Sequence, residues 1–192
     1  MATPWTSIRI AQVIGLGGAA WLSGNIASLS LITIPTLLNS HAQSQSQSQS
    51  SPSPTNRPLT PHTLAQQWRQ TYELGKSQNR PISLIIASFF VFLAYKSRSL
   101  ASASPRNVVV LYGIAAVLTM GIAPFTALVM SGTNEKLIGL SDGKGKGPSE
   151  KDGVDVEGKE VRGLLEGWGR LNGVRSLLPL FGGVVGVIAA LA

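Results

Sequence analysis

Apolar positions along this chain fall in long uncharged blocks parted by polar linkers, and the blocks are too wide for the single apolar stripe of a soluble amphipathic helix. No Asp, Glu, Lys or Arg occurs from Ile10 to Leu38 or from Asn107 to Met130. A helix needs about 20 mostly apolar residues to cross the hydrocarbon layer, and both blocks meet that length. The pattern predicts an all-α fold: a four-helix transmembrane bundle with a short interfacial amphipathic helix, multi-pass in the lipid bilayer. Spans are expected near 11–37, 81–100, 107–130 and 174–192, all within one membrane domain, 1–192.

The first span is read as retained, because its apolar run is about twice the roughly 7 to 15 residues of a signal peptide and only Arg9 precedes it. Gly17, Ala20 and Gly24 are expected to give it a small side for close helix contact. Pro35 lies near its end, where a missing N–H disturbs the helix least. From 39 to 60 the composition turns to Ser, Gln and Pro, including the repeat Gln43 to Ser50, and predicts a disordered loop. Thr60 and Pro61 then signal a helix start. Leu64, Trp68 and Tyr72 recur every four residues before Gly75, which marks the short helix, its Trp and Tyr anchoring at the interface.

Pro81 opens the second span, which needs Lys96 and Arg98 to snorkel at its end. Pro124 predicts a kink in the third. A Gly/Lys/Asp linker at 141–158 reads as flexible. The last element, from about Val161 to Ala192, is charged to Arg175 and apolar beyond, with a Gly182-x-x-x-Gly186 packing motif.

Charge and composition mostly remove possibilities. The net charge is +7, but the basic residues lie at segment ends and in a stretch from Glu135 to Glu166 with at least as many acids. No basic patch interleaves with aromatics, so nucleic acid is not an expected partner. Cysteine is absent and the only histidines are His41 and His62, which leaves few ligands for an internal metal; neither a metal nor a cofactor is expected. Gly15-x-Gly17-x-x-Ala20 mimics a dinucleotide loop, yet the first acid in the chain is Glu73, far beyond the place a ribose partner would occupy. Gly143-Lys144 lacks Walker A spacing. The spans carry no Asp or Glu, which disfavours a proton relay.

What remains is a set of polar and aromatic groups at one end of the spans. Trp168, Asn172 and Arg175 share a helix face by their intervals of four and three. Trp68, Tyr72 and the Thr133-Asn134 pair fall on the same membrane side. One reading has these groups capping helix ends and anchoring the interface; the other makes them a site.

Their order relative to the spans resembles the fungal anthrone oxygenase-like integral membrane family. The resemblance is carried by Ser23-Gly24, Pro35, Trp68-x-x-x-Tyr72-x-x-Gly75, Pro124-x-Thr126 through Thr133-Asn134-x-x-Leu137, and Trp168-x-x-x-Asn172-x-x-Arg175. It implies oxygenation of a planar polyketide anthrone to an anthraquinone by O₂, without metal or flavin. It makes Tyr72, Asn134, Asn172 and Arg175 the expected catalytic residues, and Trp68 and Trp168 the expected substrate-binding ones. Arg175 with Asn134 or Asn172 would hold a phenolate-like oxygen, Tyr72 or His62 would move a proton, and the tryptophans would stack on the rings. The rival reading is a non-enzymatic membrane helper or scaffold. A flat apolar pocket of about 300 Å³ or more near Trp68, Asn134 and Arg175 would separate the two.

Overall fold

A computed structural model describes residues 4–50, 59–99, 106–144 and 156–192. All regular structure among them is helical. α1 (Pro4–Ser28) passes through one π-helical turn (Leu29–Thr33) into α2 (Ile34–Ser50). α3 (Pro61–Ser99), α4 (Arg106–Met120), α5 (Ile122–Leu128), α6 (Ser131–Ser141) and α7 (Val156–Leu191) follow. Three stretches, Trp5–Gln47, Pro61–Ser99 and Gly158–Leu191, are long and apolar enough to cross a membrane. The pair Asn107–Met120 and Ile122–Leu128, bent by 40°, makes a fourth if it is one span.

The chain divides into two units. The first comprises Met1–Ala27, Lys76–Leu128 and Val174–Ala192. Its core includes Ala19, Leu22, Ile26, Ile86, Phe90, Leu93, Tyr112 and Ala115. A Cβ at Gly182 would stand 2.8 Å from Thr119 Oγ1 and 3.0 Å from the Ala115 carbonyl oxygen. One at Gly186 would meet Leu16 and Phe90 at 2.8 Å. The Gly182-x-x-x-Gly186 motif is therefore a contact surface on both its glycines. On α1 the close contacts run through Gly18, against Ile86, and Ala19, against Gly183. The expected set is offset from these: Gly17 and Gly24 have nothing within 4 Å, and Ala20 is exposed. A shift of one residue turns a side chain by about 100° around a helix, enough to exchange a packed face for an open one.

Outward from this core, Val13 is 72% exposed and Val117 71%. Each would forfeit about 25 cal/mol per Å² in water, a cost that disappears in hydrocarbon. Replacing Gly182 by Ala is expected to destabilise the detergent-solubilised protein by about 1–3 kcal/mol, because backbone as well as a side chain must give way. Gly17→Ala should be neutral or add up to about 1 kcal/mol of helix propensity. Thermal unfolding of the two variants side by side measures the difference.

The second unit comprises Ser28–Gly75 and Val129–Gly173. Three sequence expectations change. The segment 39–60, expected as a loop, is helical as far as Ser50, and 51–58 lie outside the described residues. Serine hydroxyls fold back on preceding carbonyls there: Ser40 donates to Thr36 O at 2.9 Å, Ser46 to Ala42 O at 3.1 Å and Ser50 to Ser46 O at 2.9 Å. The intervening glutamines favour helix as well. The amphipathic segment from Pro61 does form a helix, but it does not end at Gly75: α3 continues to Ser99 through Pro81. Ser83 Oγ donates to Arg80 O at 2.8 Å, inside the turn that Pro81 leaves without its N–H. The bend in the third span falls at Gly121 rather than Pro124. The proline ring clashes with the carbonyl four residues back, at Met120, so the chain yields one turn earlier, where glycine permits it.

The same logic produces the π-turn. Pro35 has no N–H to return to Leu31, and the Ile34 N–H reaches five residues back to Leu29 O. The linker at 141–158 lies mostly outside the described residues. At its start α6 closes on Gly143, with φ +72°, and Lys144 N donates to Gly139 O at 3.0 Å. That is a glycine C-cap, which accounts for the glycine of the Gly143-Lys144 pair.

Candidate functional site

The site is built inside the second unit from three helices. On α7, Val161, Leu165, Trp168 and Asn172 are all buried and recur at 4, 3 and 4, so one face of the helix is inward. α3 contributes Leu64, Ala65 and Trp68, and α6 contributes Asn134, Leu137 and Leu140, also buried. Arg69, next to Trp68, donates from Nη1 to Ser141 Oγ at 3.1 Å and pairs with Asp142, tying α3 to the end of α6.

Within this cluster the aromatic rings are ordered. Trp68 and Trp168 are each 1% exposed. Tyr72, one turn after Trp68, stacks on it with centroids 5.1 Å apart and planes at 12°. Trp168 meets Trp68 T-shaped, 5.7 Å away at 85°. Such pairs gain about 0.5–1.5 kcal/mol beyond area burial. The polar atoms are less completely matched. Trp168 Nε1 donates to Asn134 Oδ1 at 2.9 Å, which fixes the amide so that Nδ2 is its remaining donor. Trp68 Nε1 is buried with no hydrogen-bond partner among the described residues. An indole N–H left so costs about 1–3 kcal/mol. A bound molecule with an acceptor oxygen would remove that cost.

Asn172, wholly buried, donates from Nδ2 to Ser30 Oγ at 2.9 Å, reaching the π-turn. Four of the six expected site residues, Trp68, Tyr72, Asn134 and Trp168, thus form one contact network, and Asn172 lies on the same inward face of α7. Arg175 belongs to the first unit. It is buried there, and its Nη1 donates to Thr126 Oγ1 at 2.8 Å, whose own hydroxyl donates to Ile122 O at 2.7 Å. Buried charged side chains among apolar helices are rare. His62 pairs with Gln66 at 3.5 Å at the start of α3. A cavity of about 480 Å³ in the second unit is lined by Ser30, Leu31, Ile34, Gly169 and Gly173 among others, and neither Trp68 nor Asn134 lines it.

Sequence reasoning did not find Ser30, Thr126 as a partner of Arg175, or the Arg69–Asp142 pair. Ser30 is one of several serines in an apolar block, with only Pro35 five residues on to hint at a distorted turn.

With this geometry in hand, comparisons with known proteins are specific. A family model described as anthrone oxygenase matches residues 68–185, from Trp68 through most of α7. Over 94% of its length the chain is 34% identical to a protein named anthrone oxygenase encC from Aspergillus fumigatus, covering 92% of that relative. It is 29% identical to anthrone oxygenase AgnL2 from Paecilomyces divaricatus, covering 94% of each chain. It is 27% identical to a noranthrone monooxygenase from Aspergillus flavus, over 88% of this chain and 68% of the relative. No solved structure matches it. The matched region holds all six of the residues singled out by their chemistry, and the family match together with 34% identity to the encC protein over 94% of the chain establishes that the chain belongs to the anthrone oxygenase family.

Proposed function

We propose that this chain is a multi-pass membrane monooxygenase that uses O₂ to oxidise a planar polyketide anthrone to the corresponding anthraquinone. The relatives' names place anthrone and noranthrone oxidation in the family. The observation that carries the reading is the aromatic cluster of Trp68, Tyr72 and Trp168, with the Trp68 N–H buried and unmatched beside it.

The reaction closes without a reductant. The anthrone methylene loses a proton and its anion passes one electron to O₂. The carbon radical and superoxide join to a peroxide, which takes up a proton. Loss of water, with the second C–H hydrogen, leaves the new carbonyl: anthrone plus O₂ gives anthraquinone plus H₂O. Protein assistance is needed where negative charge gathers on the anthrone oxygen, and preorganised donors act there. Asn134 Nδ2 and Trp68 Nε1–H are the donors for that oxygen, Tyr72 moves the proton, and Trp168 holds the Asn134 amide in its donating orientation. Asn172 holds the π-turn in place through Ser30.

Anthrones also oxidise in air, so the test compares membranes with and without the protein at matched oxygen under ¹⁸O₂. The expected result is faster formation of anthraquinone carrying one ¹⁸O in membranes that hold the protein. Equal rates in both would refute oxidation of this substrate class and return the chain to a helper role.

A further inference from the structure

A second binding feature lies on the adjacent face of α7. Arg162, Glu166, Gly169, Arg170 and Gly173 recur along one stripe, next to the Val161–Asn172 stripe that holds the tryptophan cluster. Opposite this stripe are the π-turn and the start of α2, and between them runs the groove of about 480 Å³. Gly169 and Gly173 line it where α7 comes nearest the π-turn and the start of α2. A Cβ at Gly169 would lie 3.5 Å from Ile34, and one at Gly173 would lie 3.8 Å from Ser30. One wall is apolar, made by Leu31, Ile34, Pro35 and Leu38, and Leu31 is 76% exposed, so in a bilayer the groove opens to lipid.

Polar groups are spaced along it. At the inner end Ser30 Oγ accepts from Asn172 Nδ2 and keeps its own proton to donate. Arg162 is paired with Glu166 at 3.0 Å, whereas Arg170, also lining the groove, has no carboxylate partner among the described residues. An aliphatic wall facing one exposed guanidinium without a carboxylate partner suits an apolar ring system bearing phenolic oxygens. A volume of 480 Å³ lies within the roughly 300–1,000 Å³ of small-molecule sites.

Resting on the function proposed above, we infer that this groove is the site at which a hydroxylated polycyclic substrate is taken up from the bilayer, its rings against Leu31, Pro35 and Leu38 and a phenolic oxygen toward Arg170. Anthrones partition into membranes, so a site open to lipid receives them at a higher concentration than one open to water. Ser30, held by Asn172, lies at the inner end of the groove.

The natural chain has no cysteine, so a single introduced thiol reports one position. The exposed Asn39 lines the outer end of the groove, and Gln70 is an exposed position outside it. Asn39→Cys and Gln70→Cys proteins, in full-length form in detergent, are labelled with a maleimide in the presence of 1,8-dihydroxyanthraquinone. The expected result is protection of the thiol in the Asn39→Cys protein and not of the one in the Gln70→Cys protein. That protection is lost when Gly169→Leu fills the groove and retained with Gly169→Ala, whose Cβ fits. In the turnover assay Gly169→Leu raises KM about tenfold or more with kcat little changed, the scale for altered fit in an apolar pocket.

Unchanged labelling of the Asn39→Cys protein, equal protection of both thiols, or protection by an anionic phospholipid and not by the quinone would each overturn the inference. Protection needs no turnover. A protein that is protected but inactive would sink the enzymatic reading and leave the groove, and an active protein without protection would do the reverse.

Discussion

Asn134→Ala is expected to slow anthrone conversion by about 10²-fold at an unchanged protein level, the scale for removing one donor from an oxyanion site. The reason lies in how the amide is held. Its oxygen is occupied by the Trp168 indole N–H at 2.9 Å, so the carboxamide cannot turn over, and its NH₂ is the group left to meet substrate. Asn134→Asp keeps the acceptor for Trp168 but replaces the donor with negative charge, and should be at least as damaging. Trp168→Phe keeps a ring against Trp68 and frees the amide to rotate, so it should cost kcat less than Asn134→Ala does. Single-turnover rates in membranes, normalised to protein, check the order. If Trp168→Phe and Asn134→Ala both run at wild-type speed, the cluster is structural and the chemistry lies elsewhere.

The second large effect concerns Arg175. Its guanidinium is buried and donates to Thr126, which is itself bonded to the Ile122 carbonyl in the turn after the Gly121 bend. Arginine stays charged at any working pH and presents several donors in a rigid fork, which lysine does not reproduce. Arg175→Lys should therefore keep the charge and the protein level while lowering conversion by about 10²-fold, if the fork serves transition-state charge as well as Thr126. Arg175→Ala strands Thr126 and should reduce accumulation in the membrane. Thr126→Val supplies the separating measurement: it removes the partner but leaves the fork, so a purely structural Arg175 would make Thr126→Val and Arg175→Lys equivalent in stability and in rate. Wild-type conversion by Arg175→Lys would exclude Arg175 from the chemistry.

Long-range order in this chain follows from a few local chemical facts, and they differ in how visible they are in sequence. The apolar blocks and their lengths are one-dimensional properties, so the helical class and the candidate spans were legible, and Trp68, Tyr72, Asn134, Trp168, Asn172 and Arg175 stood out as candidates because they are polar or aromatic groups at the ends of the spans. Breaks were legible only as residue types. Pro35, Pro81 and Pro124 each remove an N–H, but whether the helix answers with a π-turn, continues, or bends one turn away depends on which neighbouring carbonyl finds another donor. The Ser/Gln repeat misled because its lack of apolar surface says nothing about hydroxyls that bond back to their own helix.

By itself, then, the sequence determined the solvent this protein prefers, the helical class that the solvent enforces on an unpaired backbone, and a short set of candidate residues. Only the tertiary structure decided which of them meet. A helix periodicity fixes which side chains share a face and not what that face encounters, so the pairing of Trp168 with Asn134, of Asn172 with Ser30 and of Arg175 with Thr126 could not be read from spacing. Contacts between residues 34, 142 and 49 positions apart depend on how helices rotate and slide against one another. That choice is made by the fit of small residues against particular neighbours, Gly18, Gly182 and Gly186 in the first unit and Gly169 and Gly173 in the second, a property of surfaces in three dimensions.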